Sequence, residues 1–409
     1  MNYLRLPLLL AFLTLPFSAL ADDWSQWRGL NRDGKSAETG LLKEWPEAGP
    51  PLAWRVDGLG GGYSSLAVAN GMIFTLGDRE EGTFVLALKE ADGSVVWKTR
   101  IGDAGGHKGY PGPRSTPTVD SGQVFALNQY SDLVCLDAGS GKEIWSVNLE
   151  NDFGGKMMSG WKYSESPLVD GEQVVVTPGG KEGTVLALNR KTGKKLWQSE
   201  DWTDPSGYSS VVIATIHGTR QYVQLTGKSV AGLVPESGKV LWRADRPGKT
   251  AVITTPLIQD DVVFVTSAYG VGCNGFRISK NGSEWKTEEL YANKNSANHH
   301  GGVVLLDGNV FGSSGGTFNS VDIESGDLNF KGRSAGKGAT IYADGHFYLR
   351  GEDGAVALIE ATSSELKEKS QFRQPDRSSS KAWAHPVVVD GKLYLRDQGI
   401  LLVYDVKAK

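Results

Sequence analysis

Cysteine is almost absent from this chain of 409 residues: there are two, Cys135 and Cys273, 138 positions apart. No CxxCH occurs, which excludes covalently attached haem. Neither sign of charge prevails, with 43 basic against 47 acidic residues and a formal net charge of −4, so neither nucleic acid nor an anionic membrane is implied as the main partner. No Pro/Ser-rich linker, charge block or low-complexity tract divides the chain. The residue in excess is glycine. Fifty-three of them, spread evenly over a sequence with few helical patterns, imply many tight turns and many short strands.

The first residues, "MNYLRLPLLLAFLTLPFSALADD", combine Arg5, an apolar stretch and Ala19-Leu20-Ala21 as a small-residue cleavage site. They read as a secretory signal over 1–21. A membrane anchor is the alternative, but the apolar run is broken by Pro16 and falls short of the roughly 20 residues a span requires. No cysteine lies near Asp22 to accept a lipid, so the expectation is a periplasmic or secreted protein without membrane insertion. Removing Arg5 leaves 42 basic against 47 acidic residues, a net charge of −5.

A repeat organises the rest. "ALKEADGSVVW" ends at Trp97, "CLDAGSGKEIW" at Trp145, "ALNRKTGKKLW" at Trp197, "GLVPESGKVLW" at Trp242 and "SVDIESGDLNF" at Phe330. Each has a small residue ten positions before the aromatic and a glycine four before it. Two copies are worn: "FRISKNGSEW" at Trp285 is one residue short, and "ALIEATSSELK" has Lys367 in the aromatic slot. One copy is a strand, a glycine turn and a second strand, and a further strand pair lies upstream, as in "HPVVVDGKLYLRDQG". Four strands per repeat, with 37 to 52 residues between aromatic slots, is the pattern of propeller blades. The small residue is expected where a neighbouring blade's indole lies flat. "PLAWRVDG" near the start supplies Trp54 on a lone strand, and "LLVYDVKAK" at the end supplies Val403 without an aromatic. Together they complete one blade, so the expected fold is all-β: an eight-bladed β-propeller of four-stranded antiparallel blades over 51–409, preceded by a leader over 22–50. A two-sheet sandwich is the alternative.

The small residue, Gly and Trp at these offsets resemble the tryptophan-docking motif of the pyrroloquinoline-quinone (PQQ) repeat, from about Trp54 to Lys409. Two families of PQQ-like propellers bracket what the resemblance implies: quinoprotein alcohol dehydrogenases, which use PQQ and calcium, and the outer-membrane assembly lipoprotein BamB, which binds no quinone. The chain lacks the adjacent cysteines of the former and the lipidated cysteine of the latter, and no PQQ-contacting residue carries over. Cys135 and Cys273 fall in different blades, beyond the roughly 7 Å that a disulfide bridges, so two buried free thiols are expected.

Residues that begin the innermost strands of a propeller ring one mouth of its channel although they are far apart in sequence. Here those starts carry Tyr63, Arg114, Tyr163 with Glu165, and Tyr208; further along they carry Asn298, His299, His300, Lys337, Trp383 and His385. They suit a small anionic or carbohydrate-like ligand, with the histidines placed to move protons near neutral pH; the plainer alternative is that strand starts are simply exposed. His299, His300 and His385 with Glu165 are also candidate metal ligands, but no metal is assigned. Met157, Met158 and Trp161 read as an apolar lid or a plug. The sequence therefore implies a monomeric ligand-binding or protein-scaffold module working through a polar mouth, with a PQQ- and calcium-dependent dehydrogenase of an alcohol or sugar as the alternative.

Overall fold

A computed structural model describes residues 23–409; the expected signal over 1–21 lies outside them. Eight sheets of four consecutive strands follow one another around a ring, covering 67–102, 118–148, 168–198, 212–245, 257–293, 303–333, 338–373 and finally 387–405 joined by Leu52–Val56. They are numbered here as blades 1 to 8. The only helix among the described residues is the single turn Leu149–Phe153. Blade 8 is closed by both ends of the chain, with Trp54 opposite Val403. The fold is an eight-bladed β-propeller, and closing a sheet ring in this way leaves no blade edge at the seam for another chain to pair with.

The strands alternate between two faces because their side chains do, and both faces are buried between neighbouring blades. Second and third strands are accordingly buried over most of their length, as in "GTFVLALK" and "DLVCLD". The docking residues fix how blades meet. The small residue pairs across the strands with the aromatic of its own blade, as Ala87 does with Trp97, Cys135 with Trp145 and Ala187 with Trp197. The neighbour's ring lies elsewhere, on the turn glycine. A Cβ on Gly141 would stand 2.5 Å from Trp97 of blade 1, and one on Gly193 2.9 Å from Trp145 of blade 2. The expectation that the small slot receives the neighbouring indole is thus corrected: the glycine does. Three indoles also donate their N–H across the seam, Trp97 to Ala138 O (2.9 Å), Trp145 to Arg190 O (2.8 Å) and Trp197 to Pro235 O (3.0 Å).

Two worn copies are reassigned. In blade 5 the docking ring is Tyr291, opposite Gly275, with its hydroxyl on Ile323 O at 2.7 Å; Trp285 sits further out on a longer hairpin. In blade 7 Lys367 pairs with Glu360, and Ala357 faces Gln371. The ring missing there is supplied by the leader: Trp45 packs edge-on against Phe372 (5.5 Å) and donates its backbone N–H to Ser370 Oγ at 2.7 Å. Cys135 and Cys273 are both buried and free, and burial pushes the Cys135 thiol up to about 12.

The leader also crosses the axis. Trp24 O and Ser25 O accept from Val68 of blade 1 and Val119 of blade 2. Trp27 Nε1 donates to Thr255 beside blade 5, Arg28 reaches Gly301 O at 2.6 Å beside blade 6, and Arg32 reaches Ser166 O at 2.7 Å beside blade 3. Lys35–Ser36 then adds a parallel fifth strand to blade 7. A segment that bonds to inner strands on every side of the ring plugs one end of the channel.

The glycine slot can be tested against a control in the same blade. Gly122 has φ +76° with nothing within 4 Å of a built Cβ, whereas Gly141 has φ +70° and the Trp97 ring. Gly122→Ala should cost about 1–2 kcal/mol for the left-handed backbone, and Gly141→Ala about 1–3 kcal/mol more for the displaced indole, read from urea unfolding. Equal losses would show that the ring does not hold the seam.

Candidate functional site

Above the leader plug, the segments entering the innermost strands surround a cavity of about 260 Å³. Of the residues expected at this mouth, Tyr63, Arg114, Tyr208 and Lys337 line it, as do Trp383, His299, His300 and His385. Three do not. Tyr163 is buried with its hydroxyl on Pro178 O at 2.9 Å. Glu165 is turned between blades, where Thr177 donates its N–H (2.6 Å) and hydroxyl (2.9 Å) and Gln224 an amide N–H; burial raises its carboxyl to about 7. Asn298 accepts from the backbone N–H of His300 (3.1 Å) and Gly301 (2.7 Å), so it shapes the turn that presents the two histidines.

The cavity gains residues that strand starts do not reveal. Trp27 comes from the plug, Tyr110 and Trp161 from the loops before blades 2 and 3, and Tyr269 and Glu352 from turns between second and third strands. Those turns face the same mouth as the strand starts, which is the signal a reading confined to strand starts misses.

Aromatic rings form one wall. Trp383 touches Tyr63 (centroids 4.6 Å) and Tyr110 (4.7 Å), Tyr110 stacks on Trp161 (5.6 Å), and Trp161 stacks on His107 (3.8 Å, 4° between planes). Arg114 bridges two rings of this succession, over Tyr63 at 5.4 Å and Trp161 at 5.8 Å. Its guanidinium donates to the carbonyls of Tyr110 (2.5 Å), Trp161 (3.2 Å) and Gly112 (3.4 Å). Among the described residues it forms no ion pair; burial lowers it from its ordinary value, and the Asp78 carboxylate acts on it only from a distance.

On the Trp383 side, four donors converge on Glu352: His300 Nε2 (3.1 Å), Trp383 Nε1 (3.2 Å) and Lys337 Nζ (3.4 Å) on Oε2, and Lys381 Nζ (3.5 Å) on Oε1. Burial by itself raises this carboxyl, but the hydrogen bond from His300, with the charge of Lys337 and the Trp383 indole, outweighs it and holds Glu352 well below the usual carboxylate range. Lys381 is also paired with Asp353 at 2.7 Å. This corner is balanced in charge, whereas Arg114 has no ion pair.

The histidines are not proton carriers near neutral pH, contrary to expectation. Burial pushes His299 and His385 down to about 3 and lowers His300 as well. Their neutral forms fit the contacts: His385 Nε2 lies 2.7 Å from His300 O, and the Nδ1 atoms of His300 and His385 are buried with no acceptor for a second proton.

Ligand atoms of His299, His300 and Glu352 lie within 4.8 Å of one another. A divalent ion does not fit there: it would stand beside two ammonium groups, and ligation by His300 Nε2 would move that ring's proton to the buried Nδ1. Calcium fits no better, since it takes six to eight oxygen ligands and Glu352 is the one carboxylate lining the cavity. The expected set of His299, His300 and His385 with Glu165 is not assembled either, because Glu165 points away.

Residues 80–331 match the family described as outer membrane protein assembly factor BamB. The assembly factor BamB of Salmonella typhimurium is 33% identical over 112 residues, 26% of this chain and 26% of the relative. A quinohemoprotein alcohol dehydrogenase of Pseudomonas putida is 28% identical over 140 residues, 32% of this chain and 20% of the relative. The matches thus span about a quarter or less of these relatives' own lengths. In solved structures, BamB from Moraxella catarrhalis superposes with a TM-score of 0.60 at 15% identity, covering 88% of this chain and 98% of that one. Quinohemoprotein alcohol dehydrogenase from Comamonas testosteroni gives 0.66 at 13% identity, covering 95% and 81%. Both show the propeller fold.

Glu352→Gln tests the balanced corner. It should lower unfolding free energy at pH 7 by about 2–3 kcal/mol, the worth of hydrogen bonds to a charged group. Because the folded-state pKa is depressed, the wild-type advantage is full above the ordinary value of 4.5 and is lost as the pH falls from there through the folded value. A deficit that stays constant down to pH 2 would overturn the assignment of that stability to the ionised carboxylate.

Proposed function

From the premise that the chain belongs to the family described as outer membrane protein assembly factor BamB, a PQQ-like propeller family, we propose a periplasmic or secreted binding module. Its recessed cavity takes a small anionic ligand that stacks on aromatic rings. One observation carries this reading: Arg114 is a guanidinium fixed by three backbone carbonyls against two rings, with no carboxylate in ion-pair contact among the described residues. A cation partly removed from water and left unpaired favours an incoming anion. The recessed shape of the site supports a small ligand over a protein partner, because a docked surface needs exposed area rather than a cavity.

The dehydrogenase reading has less support. Alcohol oxidation on a quinone needs a carboxylate base and calcium needs oxygen ligands, while Glu352 is engaged by four donors and weakly basic. PQQ would bring quinone and carboxylate chemistry if it bound; for its calcium the cavity offers one carboxylate, Glu352.

The test is titration of the purified protein with PQQ, with and without calcium, followed by a dye-linked alcohol oxidation assay. Calcium-independent heats or none, and no turnover, are expected; calcium-dependent binding with turnover would overturn the ranking. A panel of small carboxylates, followed by tryptophan fluorescence because Trp27, Trp161 and Trp383 line the cavity, should contain binders. Arg114→Gln should weaken each at least tenfold, about 1.4 kcal/mol.

A further inference from the structure

We infer that the anion is a uronic acid, a sugar ring bearing one carboxylate, lying on the Tyr63–Trp383 wall with its carboxylate on Arg114 and its hydroxyls at the Glu352 corner. This rests on the binding reading and goes further by assigning the two ends of the ligand.

The wall is single. Tyr63, Trp383, Tyr110 and Trp161 touch in succession, with planes inclined by 37°, 33° and 27°. Rings in mutual contact leave no slot between them, so a flat aromatic ligand is not sandwiched. One apolar face is offered, which is what the C–H face of a pyranose covers.

The two ends of the wall differ in chemistry. Arg114 lies over Tyr63, and Tyr63 touches Trp383, whose indole N–H reaches Glu352 at 3.2 Å. Across Tyr63 and Trp383 the wall therefore connects a cation without an ion pair to a charge-balanced cluster. A ligand matching both ends has one negative charge at one end only. A second carboxylate, or the acceptor-only carbonyls of a quinone, would meet the ionised Glu352 at the far end.

That far end offers donors and acceptors side by side. Lys337 and Lys381 donate, Glu352 accepts, and His299, neutral through burial, does one with each ring nitrogen; neither nitrogen has a protein partner among the described residues. Adjacent hydroxyls, each both donor and acceptor, match such a mixture. At about 260 Å³ the cavity is below the roughly 300 Å³ at which drug-sized pockets begin, which limits the ligand to one or two sugar rings.

The experiment is calorimetry on the full protein with four probes: glucuronate, galacturonate, glucose and benzoate. At least one uronate should bind, with glucose and benzoate each at least tenfold weaker. Arg114→Gln should bring that uronate to the level of glucose. His299→Phe and Lys337→Met, with melting curves confirming that both fold, should weaken uronate and spare benzoate. Benzoate binding tighter than both uronates would overturn the sugar assignment and leave the anion-binding module standing. Glucose matching the uronates would overturn the role given to Arg114. No binding by any probe, together with silence across the carboxylate panel, would overturn both readings.

Discussion

The structure depends on an aromatic ring laid on a bare turn glycine of the next blade. Each such contact joins a large apolar surface to a place without a side chain, and in Trp97, Trp145 and Trp197 the indole N–H also finds a carbonyl on the far side of the seam. The glycines need φ near +70° to form the turn and no Cβ to admit the ring. One residue thus meets a backbone and a packing demand together, which is why the repeat keeps it while strand residues vary. Where the outer strand of blade 7 has no such ring, Trp45 arrives from the leader and packs on Phe372 and Tyr348.

A ring closed by these contacts gives the loops at one mouth a fixed base, and the leader shuts the opposite end. Positive charge accompanies that closure. Arg28, Arg32, Arg350 and Arg396 are all buried and donate mainly to backbone carbonyls, and loss of water lowers each of them, Arg396 to about 9 and the others to about 10. They remain charged at neutral pH. Carboxylates set further off, Asp33, Glu165, Asp397 and Asp78, partly offset their charge, and Glu352 is the one carboxylate that lines the cavity itself.

Trp54 opposite Val403 is the clearest instance of a long-range contact legible in sequence, because a lone strand carrying the aromatic and a final hairpin lacking it imply one another. Blade 5 was less legible: its hairpin is longer, so Tyr291 takes the slot that spacing gives to Trp285. At the mouth, strand starts named Arg114, Lys337 and Trp383, but Glu352 sits on a turn between strands, where sequence offers only "GEDG". Tyr163 and Glu165 share the right repeat position but are held away from the cavity by partners in the sheets, Tyr163 by Pro178 O and Glu165 by Thr177 and Gln224.

The sequence by itself determined the number of blades, the aromatic and glycine positions of the regular copies and the pairing of Trp54 with Val403, since these follow from spacing repeated along one chain. Tertiary structure decided what faces what at the axis: that the leader plugs the channel, that Arg114 has no ion pair while Glu352 gathers four donors, and that burial keeps the histidines neutral. Those properties arise from distances between blades and from exclusion of water, and neither quantity is written in the order of residues.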